Sequence, residues 1–269
     1  MPIPLCPAHL LSLDGTDAVA FAHAQFTSDV RALPVGGWQW SAWLDAQGRA
    51  RMVFALLRPQ AERLVAWQPL GDAPAMRDAL RRFLFRSAVR IETIDGWSVH
   101  RATDAPPAAR TLALHDDGYL LALPGSAPRA AWLGPRAGEG DPVALSAWRR
   151  EDIAASLPLL PASLGAEFVP QALDLERIDA IRFDKGCYPG QEIAARLHFR
   201  GGNKRHLHRA TVQGDIAVEP ADELFDQTGS VVGKVLYAAD PPTQRALVVL
   251  VDGSPRTLAT RNRAKVAID

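Results

Sequence analysis

Cysteine is scarce in this chain: Cys6 and Cys187 are the only two among 269 residues. Two thiols cannot form a Cys-only metal or cluster site within one chain, and their settings do not suggest a disulfide framework. A long apolar run that would cross a bilayer is also lacking. The first residues, Met1–Leu5, have neither the basic nor the apolar region of a secretory signal. We therefore expect a cytoplasmic protein with no membrane partner.

Net charge is absent as well, because 30 Lys and Arg residues balance 30 Asp and Glu residues. This balance argues against an extended nucleic-acid footprint, although it leaves room for a local basic patch. What the chain does have is a hydrophobic fraction of 48% and seven tryptophans, which indicate a folded globular protein. The length suits two or three subdomains.

Short apolar segments alternate along residues 1–197 with stretches of helical spacing, which predicts an α+β region of two subdomains. The predicted strands are 10–13, 38–43, 50–57, 89–94, 97–101, 111–114 and 119–123, with a hairpin turn at 45–48. The predicted helices begin near Thr16, at Pro74 and at Pro142. The apolar face of the first helix includes Phe26 and Val30, and that of the second includes Phe83 and Leu84. Residues 102–110, rich in Pro and Ala, predict a loop between the subdomains, and 124–142 is partly a loop around residues 131–133.

The remaining residues, 198–269, have a different character. Short apolar runs at 210–212, 231–237 and 246–251 are separated by Gly, Pro and Asp and show no helical period. Such spacing is typical of a small antiparallel β-barrel.

The most informative segment runs from Lys185 to Glu192 and reads KGCYPGQE. Gly186 and Gly190 permit a tight turn, and a helix-like stretch follows at once. Cys187 would then lie near a helix N-terminus with Lys185 two residues away, and both features favour a reactive thiolate. The alternative is a small buried cysteine with no chemical role.

This segment, with Ala195-Arg196 and the run Arg200–Leu207, resembles the signature of the YgfZ family of folate-binding proteins. The matching positions are Lys185, Gly186, Cys187, Tyr188, Gly190, Gln191, Glu192, Lys204 and Arg205. Weaker likenesses lie at 13–18, 25–30, 44–49 and 168–171. The likeness covers most of the chain.

The resemblance implies a fold. The family is similar to the T-protein of the glycine cleavage system, an aminomethyltransferase that uses tetrahydrofolate. We therefore expect three subdomains around a central folate channel, the last of them a β-barrel.

The resemblance also implies a role: a folate-dependent factor that supports iron–sulfur enzymes, including one that modifies tRNA. Cys187 corresponds to the family's functional cysteine. Trp148 corresponds to a folate-binding tryptophan, with plain core packing as the alternative. Glu192 would either cap its own helix or face the ligand. For Arg196, Lys204 and Arg205 there are three alternatives: they bind the glutamate tail of folate, they bind an acidic partner, or they remain solvated. Cys187 could also serve as a transient iron ligand, but one thiolate cannot hold a stable cluster, so a partner iron–sulfur client or assembly protein is implied.

Three positions depart from the family pattern. Ala8 stands where the family has a second folate-binding Trp, so either Trp38, Trp40 or Trp43 compensates for it or the pocket is weaker. Ser156 replaces a glycine. True aminomethyltransferases carry an Asp on the strand after the hairpin turn, whereas residues 48–54 contain no acid. Ordinary aminomethyl transfer is therefore not expected. The alternative is a one-carbon transferase with an altered mechanism, in which Cys187 acts as nucleophile or acceptor.

Two further hypotheses have weaker support. A Cys–His hydrolase would pair Cys187 with His198, His206 or His208, but no catalytic signature joins them. A basic run at 198–209 leaves direct tRNA binding open, yet the zero net charge favours an indirect effect through a client enzyme, so we expect no direct tRNA binding. The arginines at 77, 81 and 82 are interpreted as a solvated face of their helix.

Overall fold

The computed structural model describes residues 2–102, 108–125, 129–135, 139–214, 216–240 and 244–269. Within these ranges the elements, in chain order, are β1 (Ile3–Pro7), β2 (Leu10–Asp14), α1 (Ala18–Gln25), β3 (Gly37–Leu44), β4 (Ala50–Gln60), β5 (Arg63–Trp67), α2 (Ala73–Arg81), β6 (Arg90–Ile94), β7 (Ser98–Ala102), β8 (Leu112–His115), β9 (Gly118–Leu123), β10 (Arg129–Gly134), α3 (Pro142–Ala154), α4 (Gln191–Arg200), β11 (Arg205–Gln213), β12 (Glu223–Phe225), β13 (Val231–Ala238), β14 (Arg245–Val251), β15 (Thr257–Thr260) and β16 (Lys265–Ile268). Two 3₁₀ turns, Ala162–Leu164 and Pro170–Leu173, lie between α3 and α4.

The strands form three units. The first sheet has the order β3-β4-β5-β2-β6, and the second has the order β1-β7-β10-β9-β8. The remaining six strands close into a barrel in the order β11-β14-β13-β12-β15-β16, and all of its pairings are antiparallel. The predicted α+β class and the predicted barrel at the end of the chain are both confirmed.

The hairpin between β3 and β4 shows how local sequence sets the first sheet. The Asp45 carboxylate accepts the backbone N–H groups of Gln47 (3.0 Å) and Arg49 (2.8 Å), which closes the turn. Gly48 has φ +74°, a conformation that glycine adopts without a steric penalty. The register that follows pairs Trp40 with Ala55 and Ala55 with Trp67, so these three side chains lie in one row on one face of the sheet.

The opposite face of the first sheet is covered by α1 and α2, and two sequence predictions need correction there. α1 ends at Gln25, so Phe26 and Val30 are buried beyond the helix, because Phe26 turns to an extended conformation and pairs with Trp43. α2 ends at Arg81, so Phe83 lies outside the helix and is 42% exposed rather than on its buried face.

The face that carries Trp40 and Trp67 meets the second sheet, α3 and the segment after α3 in the largest core cluster. The barrel has an interior cluster of its own. It also contributes Leu236, Tyr237, Leu247 and Val249 to the large cluster, so the three units meet around a common apolar centre.

The subdomain limits drawn from sequence stay predictions. The break near 102–110 falls largely on 103–107, outside the described residues, and the strands on either side of it, β7 and β8, both belong to the second sheet. The barrel was predicted to begin at His198, but this residue lies in α4, and the first barrel strand starts at Arg205. Residues 131–133 lie in β10, inside the second sheet.

Candidate functional site

The predicted motif forms a loop and the first turn of α4, and it is fixed to the first sheet at Gly190. This glycine precedes α4 with φ +75°, and a Cβ there would lie 2.4 Å from the carbonyl oxygen of Asp45. On the other side of the contact, a Cβ added at Gly48 would lie 2.9 Å from the Cβ of Ile193 in α4. Only glycine allows the hairpin turn and the start of α4 to approach this closely.

The other end of the loop is fixed by Lys185. Its Nζ donates to the backbone carbonyls of His23 (2.6 Å), Phe26 (2.6 Å) and Ser28 (2.8 Å), where the chain leaves α1. Burial of the ammonium lowers the pKa of Lys185 to about 8. All three donors of the ammonium group are thus used by the backbone, and this side chain holds the loop in place.

Tyr188 supports the same loop from inside. It is buried, its hydroxyl donates to the carbonyl of Arg182 (3.1 Å), and its ring centroid lies 5.1 Å from Lys185 Nζ. Burial raises the pKa of Tyr188 above that of an ordinary phenol, so its hydroxyl stays protonated and remains a donor.

Between these fixed points the Cys187 side chain is exposed and its thiol is free. α4 begins four residues later, at Gln191. The structure therefore agrees with an accessible cysteine, and Lys185, which sequence analysis placed as an activating neighbour, is engaged with α1 instead.

A histidine that sequence analysis did not select lies beside this loop. His23 is buried at the end of α1, and its Nε2 would lie 3.5 Å from a Cβ on Gly186. Its Nδ1 is 3.3 Å from the carboxylate of Asp29, and burial lowers the pKa of His23. More than 160 positions separate it from the motif, so no local sequence signal could have found it.

Trp148 lies on α3 and is almost fully buried. The guanidinium of Arg129 lies 4.5 Å from its ring centroid and forms a buried ion pair with Asp152, one turn further along α3. Burial raises the pKa of Asp152 to about 6, although the charge of Arg129 opposes this. The indole borders a cavity of about 40 Å³, whose wall includes Cys6, Trp67 and Tyr237.

A larger cleft, of about 310 Å³, opens over the same face of the first sheet and is lined by Trp38, Trp40, Arg110, Leu157 and Arg177, among others. The Arg110 guanidinium lies 5.1 Å from the Trp38 ring centroid, and one of its nitrogens donates to the Ile178 carbonyl (2.9 Å). The indole N–H of Trp38 and the second terminal nitrogen of Arg110 are buried and find no acceptor among the described residues.

The two cavities are neighbours. Trp40 borders the larger one and Trp67 the smaller one, and only Ala55 stands between them in the row across β3, β4 and β5. Two strand spacings amount to about 10 Å. The Trp67 indole N–H is also buried without an acceptor among the described residues.

The other predicted ligand residues lie elsewhere. Glu192 and Arg196 are exposed on α4 and border neither cavity, and Glu192 occupies the first turn, where a carboxylate complements the helix N-terminus. Lys204 and Arg205 are exposed at the start of β11, with Arg205 4.0 Å from Glu167. Cys187 borders neither cavity either.

Two of the three histidines of the hydrolase hypothesis have carboxylate partners of their own, and the third lies on a barrel strand. His198 lies 2.9 Å from Glu176, and His206 lies 3.1 Å from Asp252. His208 is on the barrel strand β11, and burial lowers its pKa. No hydrogen bond within the described ranges joins any of them to Cys187.

Over the described ranges, no cluster of three or more His, Cys, Asp or Glu side chains is arranged to hold a metal ion. None of the helices in those ranges is long and apolar enough to cross a membrane.

Comparison with known proteins gives relatives over most of the chain, although no family model matches. A tRNA-modifying protein YgfZ of Sodalis glossinidius is 28% identical over 223 residues, covering 74% of this chain and 67% of the relative. Another of that name, from Photobacterium profundum, is 28% identical over 270 residues, covering 90% and 80%. An uncharacterized protein of Haemophilus influenzae is 31% identical over 245 residues, covering 87% and 84%.

Among solved structures, the glycine cleavage system aminomethyltransferase T of Bartonella henselae is similar in fold. Its TM-score is 0.68 at 14% sequence identity, and the match covers 97% of this chain and 82% of that one.

Proposed function

The chain belongs to the YgfZ family, and from this premise we propose that it is a cytoplasmic, tetrahydrofolate-binding accessory protein for iron–sulfur enzymes. In this proposal it supports the maturation or repair of such enzymes, and it affects tRNA modification indirectly through a client. Cys187 is the working thiol.

The observation that carries the folate proposal is the pair of neighbouring cavities over the first sheet. Flat aromatic groups stack on indole faces, and the larger cleft offers Trp38 and Trp40. The Arg110 side chain at the cleft is 39% exposed, and its guanidinium suits the carboxylate of a benzoylglutamate. The buried, unpartnered N–H groups of Trp38 and Arg110 would serve as donors once a ligand uncovers them. At about 310 Å³ the cleft is within the usual size of a small-molecule site.

The fit is less good beside Trp148. A cavity of about 40 Å³ is smaller than a pterin ring, so Trp148 or its neighbours must shift before the indole can contact a pterin. In this proposal Arg110 binds and orients the anionic end of the ligand. The indoles of Trp40 and Trp67 exclude water from the space between the two cavities. A bound tetrahydrofolate would supply one-carbon or redox chemistry at its pterin.

The thiol works separately from the ligand in this proposal, because Cys187 is exposed and borders neither cavity. An exposed thiolate suits transient contact with iron or with a partner's cysteine. Iron–sulfur client enzymes or assembly proteins are therefore the proposed macromolecular partners.

The alternative, a one-carbon transferase with an altered mechanism, is favoured by the aminomethyltransferase fold. Residues 48–54 argue against this alternative because they carry no carboxylate. Arg51, within this stretch, lies 4.5 Å from the ring centroid of Trp43. Turnover of a folate substrate by the purified chain would favour this alternative.

Calorimetric titration with tetrahydrofolate tests the proposal. We expect binding by the wild type and by Cys187→Ala, and weaker binding by Trp148→Phe. Arg110→Gln should weaken tetrahydrofolate but leave a tetrahydropterin without the glutamate unaffected, whereas the exposed control Arg90→Gln should change neither. A folded wild type that binds no folate would refute the folate site and leave the thiol as the centre of function.

A further inference from the structure

A second surface carries an aromatic side chain that the fold does not use. The loop after α2 runs from Arg82 to Ser87, and Phe85 at its tip is 91% exposed. Its φ is +42°. For a bulky residue this left-handed conformation is an outlier, and strained residues of this kind cluster at functional sites.

The loop is held firmly in this shape. The Ser87 N–H donates to the Leu84 carbonyl (2.7 Å) across a β-turn in which Phe85 is the first central residue. Positive φ at that position is normally left to Gly, Asn or Asp. One residue after the turn, the Ala88 N–H donates to the Asp17 carboxylate (2.8 Å), which ties the loop to the start of α1.

Arginines flank the exposed ring. Arg82 and Arg86 are exposed and form no ion pair with any residue in the described ranges. Arg81 donates to the Ile91 carbonyl (2.9 Å) at the base of the loop, and Phe83 adds a second, partly exposed ring. The loop therefore carries an exposed aromatic ring and two exposed arginines, of which Arg82 lies near enough to Asp78 for their charges to interact.

We propose that the loop 82–86 binds single-stranded nucleic acid, with Phe85 stacking on a base and Arg82 and Arg86 contacting phosphates. Guanidinium groups match phosphate geometry in a bidentate manner, and an aromatic ring stacks on any unpaired base. The zero net charge of the chain does not oppose this, because the patch is local. The proposal is independent of the folate site.

An anionic membrane is the competing partner for such a patch. Leu80 is buried and Leu84 is half-buried, so the apolar surface offered to a bilayer is limited to Phe85 and part of Phe83. Stable membrane attachment requires more apolar area than one ring provides, whereas stacking requires only one ring face.

Fluorescence polarisation with a labelled oligouridine of roughly 12 nucleotides tests the proposal on the full chain. Phe85→Asn keeps a residue that tolerates positive φ and removes the ring, so we expect about a fivefold or greater loss of affinity with no loss of thermal stability. Phe85→Trp should retain binding. A duplex of the same length should bind more weakly, because its bases are not free to stack.

Salt dependence separates the phosphate contacts from the stacking. Arg82→Gln with Arg86→Gln should weaken binding and make the log–log salt slope shallower by about 1.4, since each neutralised phosphate of a single strand contributes about 0.7. Arg261→Gln, an exposed arginine on the barrel, is the control and should leave the slope unchanged. Oligouridine binding that is unchanged in both loop variants, or Phe85-dependent binding to phosphatidylserine vesicles without oligouridine binding, would overturn the proposal.

Discussion

Replacing Lys185 with methionine should strongly destabilise the fold. Methionine keeps the length and most of the volume of the side chain but removes the ammonium that donates to three carbonyls at the end of α1. Hydrogen bonds to a charged group contribute about 1.5–3 kcal/mol each, so three amount to about 5–9 kcal/mol. The wild type also bears the cost of burying the charge, which must be subtracted.

That cost follows from the pKa of Lys185, which burial lowers from 10.5 to about 8. At about 1.4 kcal/mol per pKa unit the shift corresponds to about 3 kcal/mol, which we reduce to about 2 because part of the group still contacts water. Water also replaces some of the lost bonds in the variant, so we expect a net loss of about 3 kcal/mol. For a chain of this length, this lowers Tm by roughly 6–12 °C.

Urea denaturation and calorimetry of Lys185→Met would measure this loss directly. The matched control is Lys204→Met, an exposed lysine of the same signature, which should change the unfolding free energy by less than about 0.5 kcal/mol. Equal stability of the two variants would show that the carbonyl cluster does not depend on the ammonium, and the assignment of Lys185 as a structural anchor would fail.

Other predictions concern a titrating group, a glycine and the two thiols. Burial raises the pKa of Asp152 from 3.8 to about 6. The stability contributed by the protonated carboxyl is therefore complete below about pH 4 and is lost as pH rises through about 6. Asp152→Asn should remove this pH dependence of the unfolding free energy from denaturation curves. Gly201→Ala should lower the unfolding free energy by roughly 1–2 kcal/mol, and Gly190→Ala should lower it by at least twice as much in thermal unfolding. Both glycines have positive φ, but only at Gly190 would an added Cβ meet backbone atoms. Equal losses of stability would contradict the close contact at Gly190. Iodoacetamide should modify Cys187 well before Cys6 in the folded chain, because burial raises the pKa of the Cys6 thiol. Peptide mass spectrometry would measure the two rates, and similar rates would contradict the difference in exposure between the two thiols.

Local patterns predicted the elements that depend on local interactions. The hairpin at 45–48 follows from an aspartate that caps its own turn and from a glycine with positive φ. The barrel strands were found because each apolar run is short and bounded by Gly, Pro or Asp. In contrast, Phe26 and Val30 fit a helical spacing yet lie beyond the end of α1, because contact of Phe26 with Trp43 outweighs propensity.

The candidate site depended more on long-range contacts. The exposure of Cys187 was predicted, but the target of Lys185 was not, since nothing near the motif shows that three carbonyls converge 157 to 162 positions earlier. The cleft beside Trp38 could not be predicted either, because Arg110 reaches it from another sheet's loop. Strand register and the packing of the two sheets create that cleft, and neither can be read from local composition.

The position of β1 has a consequence for biosynthesis. Residues 10–94 contain every strand of the first sheet, so this sheet can form as soon as that stretch leaves the ribosome. β1 instead pairs with β7, so it must wait for roughly 90 further residues, or about 5–20 s of translation at typical rates. Throughout that delay it remains an unpaired edge that another chain could capture. Leu5 and Cys6 form part of the wall around Trp148, and Tyr237 of β13 forms another part, so that cavity joins the first residues made to residues near the end of the chain.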